Sequence, residues 1–323
     1  MRSPLLNIPD TYRQLIFLLC VIACTIFLDP PFALLTGLII AFTIGNPFIK
    51  LNKKATTLLL QVSVVCLGFS MNFEHAMQAG KEGFLFTVAT IGVTLLAGFL
   101  IGKALKIDKN TSLLISNGTA ICGGSAIAAI APVIKANDQQ ISVSLGTVFI
   151  LNSIGLFLFP VLGHYLHMND QQFGTWCAIA IHDTSSVVGA ASKFSEEALK
   201  IATTIKLERA LWIIPITLAT AYFQHSTGKV RIPYFIFYFI IAILISTYLP
   251  NHFSFLNNNF EGHTLFQWAY IFGRKGLVVT LFLIGSGLSL KTIQQVGWRP
   301  ILQGVLLWLI IGGISLFVIK GLI

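Results

Sequence analysis

The stretch Ser116-Asn117-Gly118-Thr119-Ala120-Ile121-Cys122-Gly123-Gly124-Ser125-Ala126 sets three glycines and a row of small polar residues inside an apolar segment of membrane-spanning length. Hydrocarbon offers no partner to backbone N–H or C=O groups, so a helix that breaks there must face protein, water or a ligand. A second half-helix starting near Ser125 would direct free amides and its positive end toward the break, an arrangement suited to an anion. The same spacing has a second reading. Gly118, Cys122, Ser125 and Ala129 are also the small residues that close helix packing requires without any ligand.

The surrounding composition names the solvent. The chain is 55% hydrophobic and 10% charged, with 26 phenylalanines in 323 residues, a balance typical of a multi-span membrane protein. A formal charge of +9 would suit a nucleic-acid binder, but the Lys and Arg residues fall singly or in small groups between apolar segments. No nucleic-acid partner is expected; the lipid bilayer is. Cys20, Cys24, Cys66, Cys122 and Cys177 all sit in apolar segments without a CxxC pair or metal-ligand spacing, so buried reduced thiols are expected, and no cofactor or metal. The apolar run after Arg2 and Arg13 leads into Asp29-Pro30-Pro31 without a small-residue cleavage site, and reads as a retained first span.

Apolar segments fall at about 15–28, 32–45, 56–70, 84–101, 112–134, 141–160, 173–194, 201–223, 233–249, 268–290 and 300–319, which predicts about eleven helices. With the N-terminus in the cytoplasm, the loops bearing Lys50, Lys53 and Lys54, then Lys103, Lys106 and Lys109, then Lys229 and Arg231, then Lys291 and Arg299 are all cytoplasmic, and an odd span count leaves the C-terminus outside. Two places resist this scheme. The 161–172 loop should be cytoplasmic yet has no Lys or Arg, and Arg274 with Lys275 lies toward the outer end of its segment. Leu67-Gly68-Phe69-Ser70-Met71-Asn72-Phe73 also echoes Ser286-Gly287-Leu288-Ser289-Leu290-Lys291-Thr292, as a duplicated chain with inverted halves would, though the phase of such a repeat stays open.

Two further polar clusters lie deep in apolar segments. His182, Asp183 and Thr184, followed by Ser185 and Ser186, sit about 14 Å into a helix, where ionisable groups are costly and functional; His182 and Asp183 are candidates for coupling a proton or sodium ion. The alternative is a structural His–Asp contact or a helix break. Lys206 and Arg209, three residues apart, share a helix face, and Arg209 lies about 15 Å in if the helix starts near Leu199. Snorkelling to the interface is the competing reading. Glu208 adds an acid that would lower the charge left for a dianion if it pairs with Arg209. The candidate substrate residues are therefore Asn117, Gly118, Thr119, Gly123, Gly124, Ser125, Lys206 and Arg209, and the ion-coupling residues His182, Asp183 and Thr184.

The run Gly118 to Ala128, His182-Asp183, Lys206-Leu207-Glu208-Arg209 leading into Pro215, and Gly287-Leu288-Ser289 together resemble the sulfate exporter family of bacterial inner-membrane proteins. The resemblance covers nearly the whole chain. It implies an all-α polytopic fold of ten or eleven helices related to the bile acid and sodium/proton antiporter type, with broken helices crossing near the midplane. It further implies one transmembrane transporter domain over 1–323: an extra helix in 1–31, a first repeat in 32–160, a second in 161–323, and a homodimer. The expected function is secondary active export of a small inorganic or sulfur-containing anion such as sulfate across the cytoplasmic membrane by alternating access. The alternatives are a passive anion channel and, although no enzyme is expected, a membrane-embedded enzyme using His182, Asp183 and Ser185 or Ser186.

Overall fold

A computed structural model describes residues 9–223, 234–252, 264–287 and 296–322. Among them every regular element is a helix. These are α1 Asp10–Phe27, α2 Pro30–Thr43, α3 Ile49–Gly68, α4 Phe73–Ala104, α5 Lys109–Ala120, α6 Gly124–Ile130, α7 Asp138–Tyr165, α8 Asp170–Ala180, α9 Thr184–Phe194, α10 Glu196–Leu211, α11 Ile213–Phe223, α12 Phe235–His252, α13 Leu265–Gly287 and α14 Trp298–Leu322. Each of the eleven expected segments is helical over most of its described residues, those at 112–134, 173–194 and 201–223 in two pieces. Among the described residues five helices are long and apolar enough to cross a membrane, and three shorter apolar ones accompany them, as expected of an all-α polytopic membrane protein. Lys229, Arg231, Lys291 and residues 288–292 of the internal echo, including Leu288 and Ser289, lie outside the described residues.

The helices group by packing into two compact units, residues 1–77 with 234–290 and residues 78–233 with 291–323. This grouping addresses a different question from the repeat boundaries at 32, 160 and 161 read from the sequence. In the first unit α13 lies against α2 and α3, and α1 adds Phe17 and Cys24 to a core with Ala33, Ile40 and Phe282. The closest approach is backbone to backbone. A Cβ on Gly37 would collide with Phe282 O, and one on Gly285 with Leu34 O, so glycine lets the two main chains touch.

The second unit holds the three interrupted segments, and two of them, 112–134 and 173–194, fold differently from a kinked span. Asp108 caps α5 by accepting from the Thr111 N–H at 3.0 Å, and α5 ends at Ala120. There the Gly123 N–H bonds Gly118 O at 2.8 Å and Gly123 takes φ +63°, ψ −123°, a conformation that strains any residue with a Cβ. The chain then doubles back. Leu114 shares a core cluster with Ile127, Ile130 and Ile134, and Asn110 Nδ2 reaches Ile134 O at 3.5 Å, whereas a straight helix would separate residues 110 and 134 by about 36 Å.

The second interruption behaves alike. The α8 helix ends at Ala180, α9 starts at Thr184, the Phe173 and Phe194 rings stack with centroids 3.9 Å apart, and Ser195 Oγ donates to Asp170 Oδ1 at 2.6 Å. The two segments are thus helical hairpins, each doubling back at the break instead of continuing as a second half-helix in line with the first. Periodicity registers an apolar stripe and a break, but carries no sign of the direction taken after the break.

Helix α7 fixes where the hairpins meet. Its 28 residues span about 42 Å. The base of the first hairpin lies at its start, where Gln140 Nε2 donates to Asp108 Oδ1 at 2.8 Å; the base of the second lies at its end, where the His164 ring stacks on Phe194 at 4.4 Å. The same four residues, Asn-Asp-Gln-Gln, form a capping box at 137–140 and again at 169–172, starting α7 and α8. The hairpins therefore enter from opposite ends of α7, and their tips meet at its middle.

Candidate functional site

The meeting of the tips is close. A Cβ placed on Gly123 would lie 3.4 Å from both Cα and Cβ of Asp183, and 3.3 Å from Val148 on α7. Halfway along α7, Asn152 Oδ1 accepts the His182 backbone N–H at 3.1 Å, which anchors the second tip. Each tip holds the C-terminal end of one short helix and the N-terminal end of the next. Four sets of unpaired backbone groups and two partial charges of each sign therefore gather in one place.

Lys206 and Arg209 answer the negative ends. Helix α10 starts at Glu196, with the Ser195 hydroxyl as its cap, so Lys206 stands well inside it and Arg209 in its last turn, and both are fully buried. Lys206 Nζ donates to Ile181 O at 2.8 Å and to Ala178 O at 3.2 Å, both at the end of α8. Arg209 bridges the two hairpins, with Nε on Ala120 O at 2.8 Å and Nη1 on Ile179 O at 3.0 Å. The sequence reading assigned these charges to a bound anion. In the fold most of their donors hold the hairpin ends, and Arg209 Nη2 is left without a hydrogen-bond partner.

The positive ends are treated unequally. Asp183 caps α9, accepting the Ser185 N–H at 3.1 Å, the Ser186 N–H at 3.4 Å and the Ser185 hydroxyl through the same oxygen. Helix α6 has no side-chain cap; its residues Gly124 and Ser125 are half-buried and exposed, although Gly123 before them is buried. With only seven residues, α6 supplies a weak dipole, so its contribution lies in local amides rather than a macrodipole.

His182 and Asp183 are adjacent but not bonded to each other; both ring nitrogens of His182 are buried without a partner. The Thr184 side chain is buried at the start of α9. Asn117 donates from Nδ2 to Leu113 O at 2.8 Å, which leaves its Oδ1 unpaired, as is the Thr119 hydroxyl. Gly118 packs on Ile127 within its own hairpin, which is the close-packing role weighed for it. The carboxylate oxygens of Glu208 are buried and accept no hydrogen bond, so the pair with Arg209 considered from sequence is not made. Cys24, Cys122 and Cys177 are buried thiols; Cys20 and Cys66 are only half-buried, and none of the five is in a disulfide.

Two residues were missed. Asn152 orders the second tip and keeps Nδ2 free, and Gln303 on α14 donates to Gly98 O at 3.1 Å and Ser112 Oγ at 2.8 Å, tying α14 to α4 and α5. A lone amide within each apolar segment, Asn152 near the middle and Gln303 near the start, was the available signal, because such groups are costly in hydrocarbon unless bonded.

A bundle of apolar helices enclosing two re-entrant hairpins, with buried cations on their tips, defines a polytopic membrane protein whose interior is polar at one depth. The chain belongs to the family described as Conserved hypothetical protein 698, which matches residues 21–304. It is similar to a UPF0324 membrane protein of Bacteroides thetaiotaomicron, 55% identical over 90% of this chain and 86% of that one. It is likewise similar to UPF0324 membrane proteins of Porphyromonas gingivalis, 50% identical over 89% and 86%, and of Shewanella oneidensis, 44% identical over 96% and 95%. No solved structure matches the chain.

Proposed function

We propose that the paired hairpin tips form the substrate site of a secondary active transporter in the cytoplasmic membrane, which exports a small anion, sulfate or a related sulfur-containing species, by alternating access. One observation carries this reading. Around the hairpin tips at the middle of α7, Arg209 Nη2, Asn152 Nδ2 and the Thr119 hydroxyl are all buried without a protein partner, donors that an oxyanion would satisfy. The amides at Gly124 and Ser125 add donors from the open side, while the Gly123 amide is spent on Gly118 O, and Asn117 and Gly118 shape the arm behind them. Lys206 serves mainly to neutralise the end of α8, keeping the local potential positive.

Coupling to a proton or sodium ion falls to His182, whose ring has no protein partner, with Asp183 and Thr184 beside it. An enzyme is the weaker reading. The Ser185 hydroxyl donates to Asp183 and the His182 ring contacts neither through a hydrogen bond, so no serine–histidine–acid relay is assembled. The opposed hairpins also suit inverted repeats and a homodimer, for which light scattering in detergent gives the subunit count.

Proteoliposomes loaded with unlabelled sulfate, thiosulfate or sulfite and given the labelled anion outside test the assignment. Saturable exchange that falls at least tenfold in Arg209→Lys and Asn152→Leu is expected. Flux unchanged in both variants overturns the site; flux without exchange between labelled and unlabelled anion makes the protein a channel.

A further inference from the structure

Beside the first hairpin lies a cavity of about 520 Å³ that takes no part in the tips. Its walls come from α4, α5 and α11, and they are chiefly apolar: Leu95, Phe99, Leu113 and Ile216. The two long walls are antiparallel, since Gly98 and Gly102 on α4 face Ser116 and Ser112 on α5. Lys103 and Lys109 mark the same end of both walls, where α4 stops and α5 starts, and both are exposed. From Lys109 to Asn117 the wall runs eight residues, about 12 Å, from the membrane boundary toward the hairpin tip. Asn117 closes the inner end with its buried, unpaired Oδ1.

A pair of cations above a slot lined by aliphatic and aromatic side chains is matched to an amphiphile rather than to a hydrated ion. A hydrated anion would leave its shell against Phe99 and Leu113 with nothing in return. We propose that this cavity holds one acyl chain of an anionic phospholipid, with its phosphate on Lys103 and Lys109. The apolar depth, the charge at the mouth and the position at the end of two helices all agree with this occupant. Because the chain would lie along α5, the lipid braces the arm that carries the first tip. The inference is independent of what the tips carry.

Native mass spectrometry of the detergent-purified protein, exposed to equimolar phosphatidylglycerol and phosphatidylcholine, tests it without any transport readout. The wild type is expected to retain phosphatidylglycerol by about tenfold over phosphatidylcholine, the order two interfacial lysines supply. Lys103→Ala with Lys109→Ala, both at exposed positions, should remove that preference. Ile216→Trp, which fills the slot, should remove the bound lipid with the lysines intact. Equal retention of the two lipids by the wild type overturns the proposal. So does a preference that survives Ile216→Trp, which would place the lipid on the charged surface alone.

Discussion

The two units use the same device at different depths. In the first, Arg13 Nε on α1 donates to Ile44 O at the end of α2 (2.8 Å), and Lys275 Nζ on α13 donates to Thr25 O near the end of α1 (2.7 Å). In the second, Lys206 and Arg209 do the same for the ends of α8 and α5. Arg13 and Lys275 are at least partly exposed, whereas Lys206 and Arg209 are fully buried. At the surface a cation on a helix end refines a helix that would form regardless. In the interior it is the condition for ending a helix there at all, because nothing else is present to take the carbonyls.

The sharpest way to break this comparison is Arg209→Met. It strands Ala120 O and Ile179 O in the interior, each costing about 1–3 kcal/mol, and the fall in thermal stability in detergent should exceed that of any other single change considered. Arg209→Lys should recover part of it. Next come two glycine changes with different causes. Gly123→Ala forces a Cβ into φ +63°, at about 1–3 kcal/mol of backbone strain. Gly285→Val drives a side chain into Leu34 O and costs a similar amount through overpacking of α13 on α2. Anion exchange in the folded fraction separates them: it should be lost with Gly123→Ala and kept with Gly285→Val. The smallest effect belongs to Arg13→Met, about 0.5–1.5 kcal/mol by chemical unfolding. A loss there as large as that of Arg209→Met would show that depth is not what distinguishes the units.

Much of the fold was legible in residue order. The apolar segments, the break at 121–123 and the burial of Lys206 and Arg209 all follow from one fact, that hydrocarbon solvates neither backbone nor charge. The second break at 181–183 was only one of several readings of His182-Asp183, because an Asp before a Ser pair is equally a cap and an ion ligand. The partners of Lys206 and Arg209 were not legible. They are carbonyls, which every residue has, and composition cannot distinguish a charge spent on backbone from one held for a ligand. Nor was the reversal of the hairpins, which rests on contacts between residues such as Asn110 and Ile134 that no periodicity encodes.

Doubling back also changes which stretches of chain share a membrane face. A hairpin returns to the side it left, so the 103–109 and 135–140 stretches emerge together at the start of α7, and the 161–172 stretch emerges opposite them. The first group carries Lys103, Lys106, Lys109 and Lys135, and the 161–172 stretch carries no Lys or Arg. The loop that broke the charge pattern when every apolar segment was counted as a crossing now shares its end of α7 with the base of the second hairpin, where Lys193 and Lys200 stand against the four lysines of the first group, so the bias of positive charge is present but partial. The reversal alone decides that the 103–109 and 161–172 stretches lie at opposite ends of α7; a straight crossing in its place would set them at the same end.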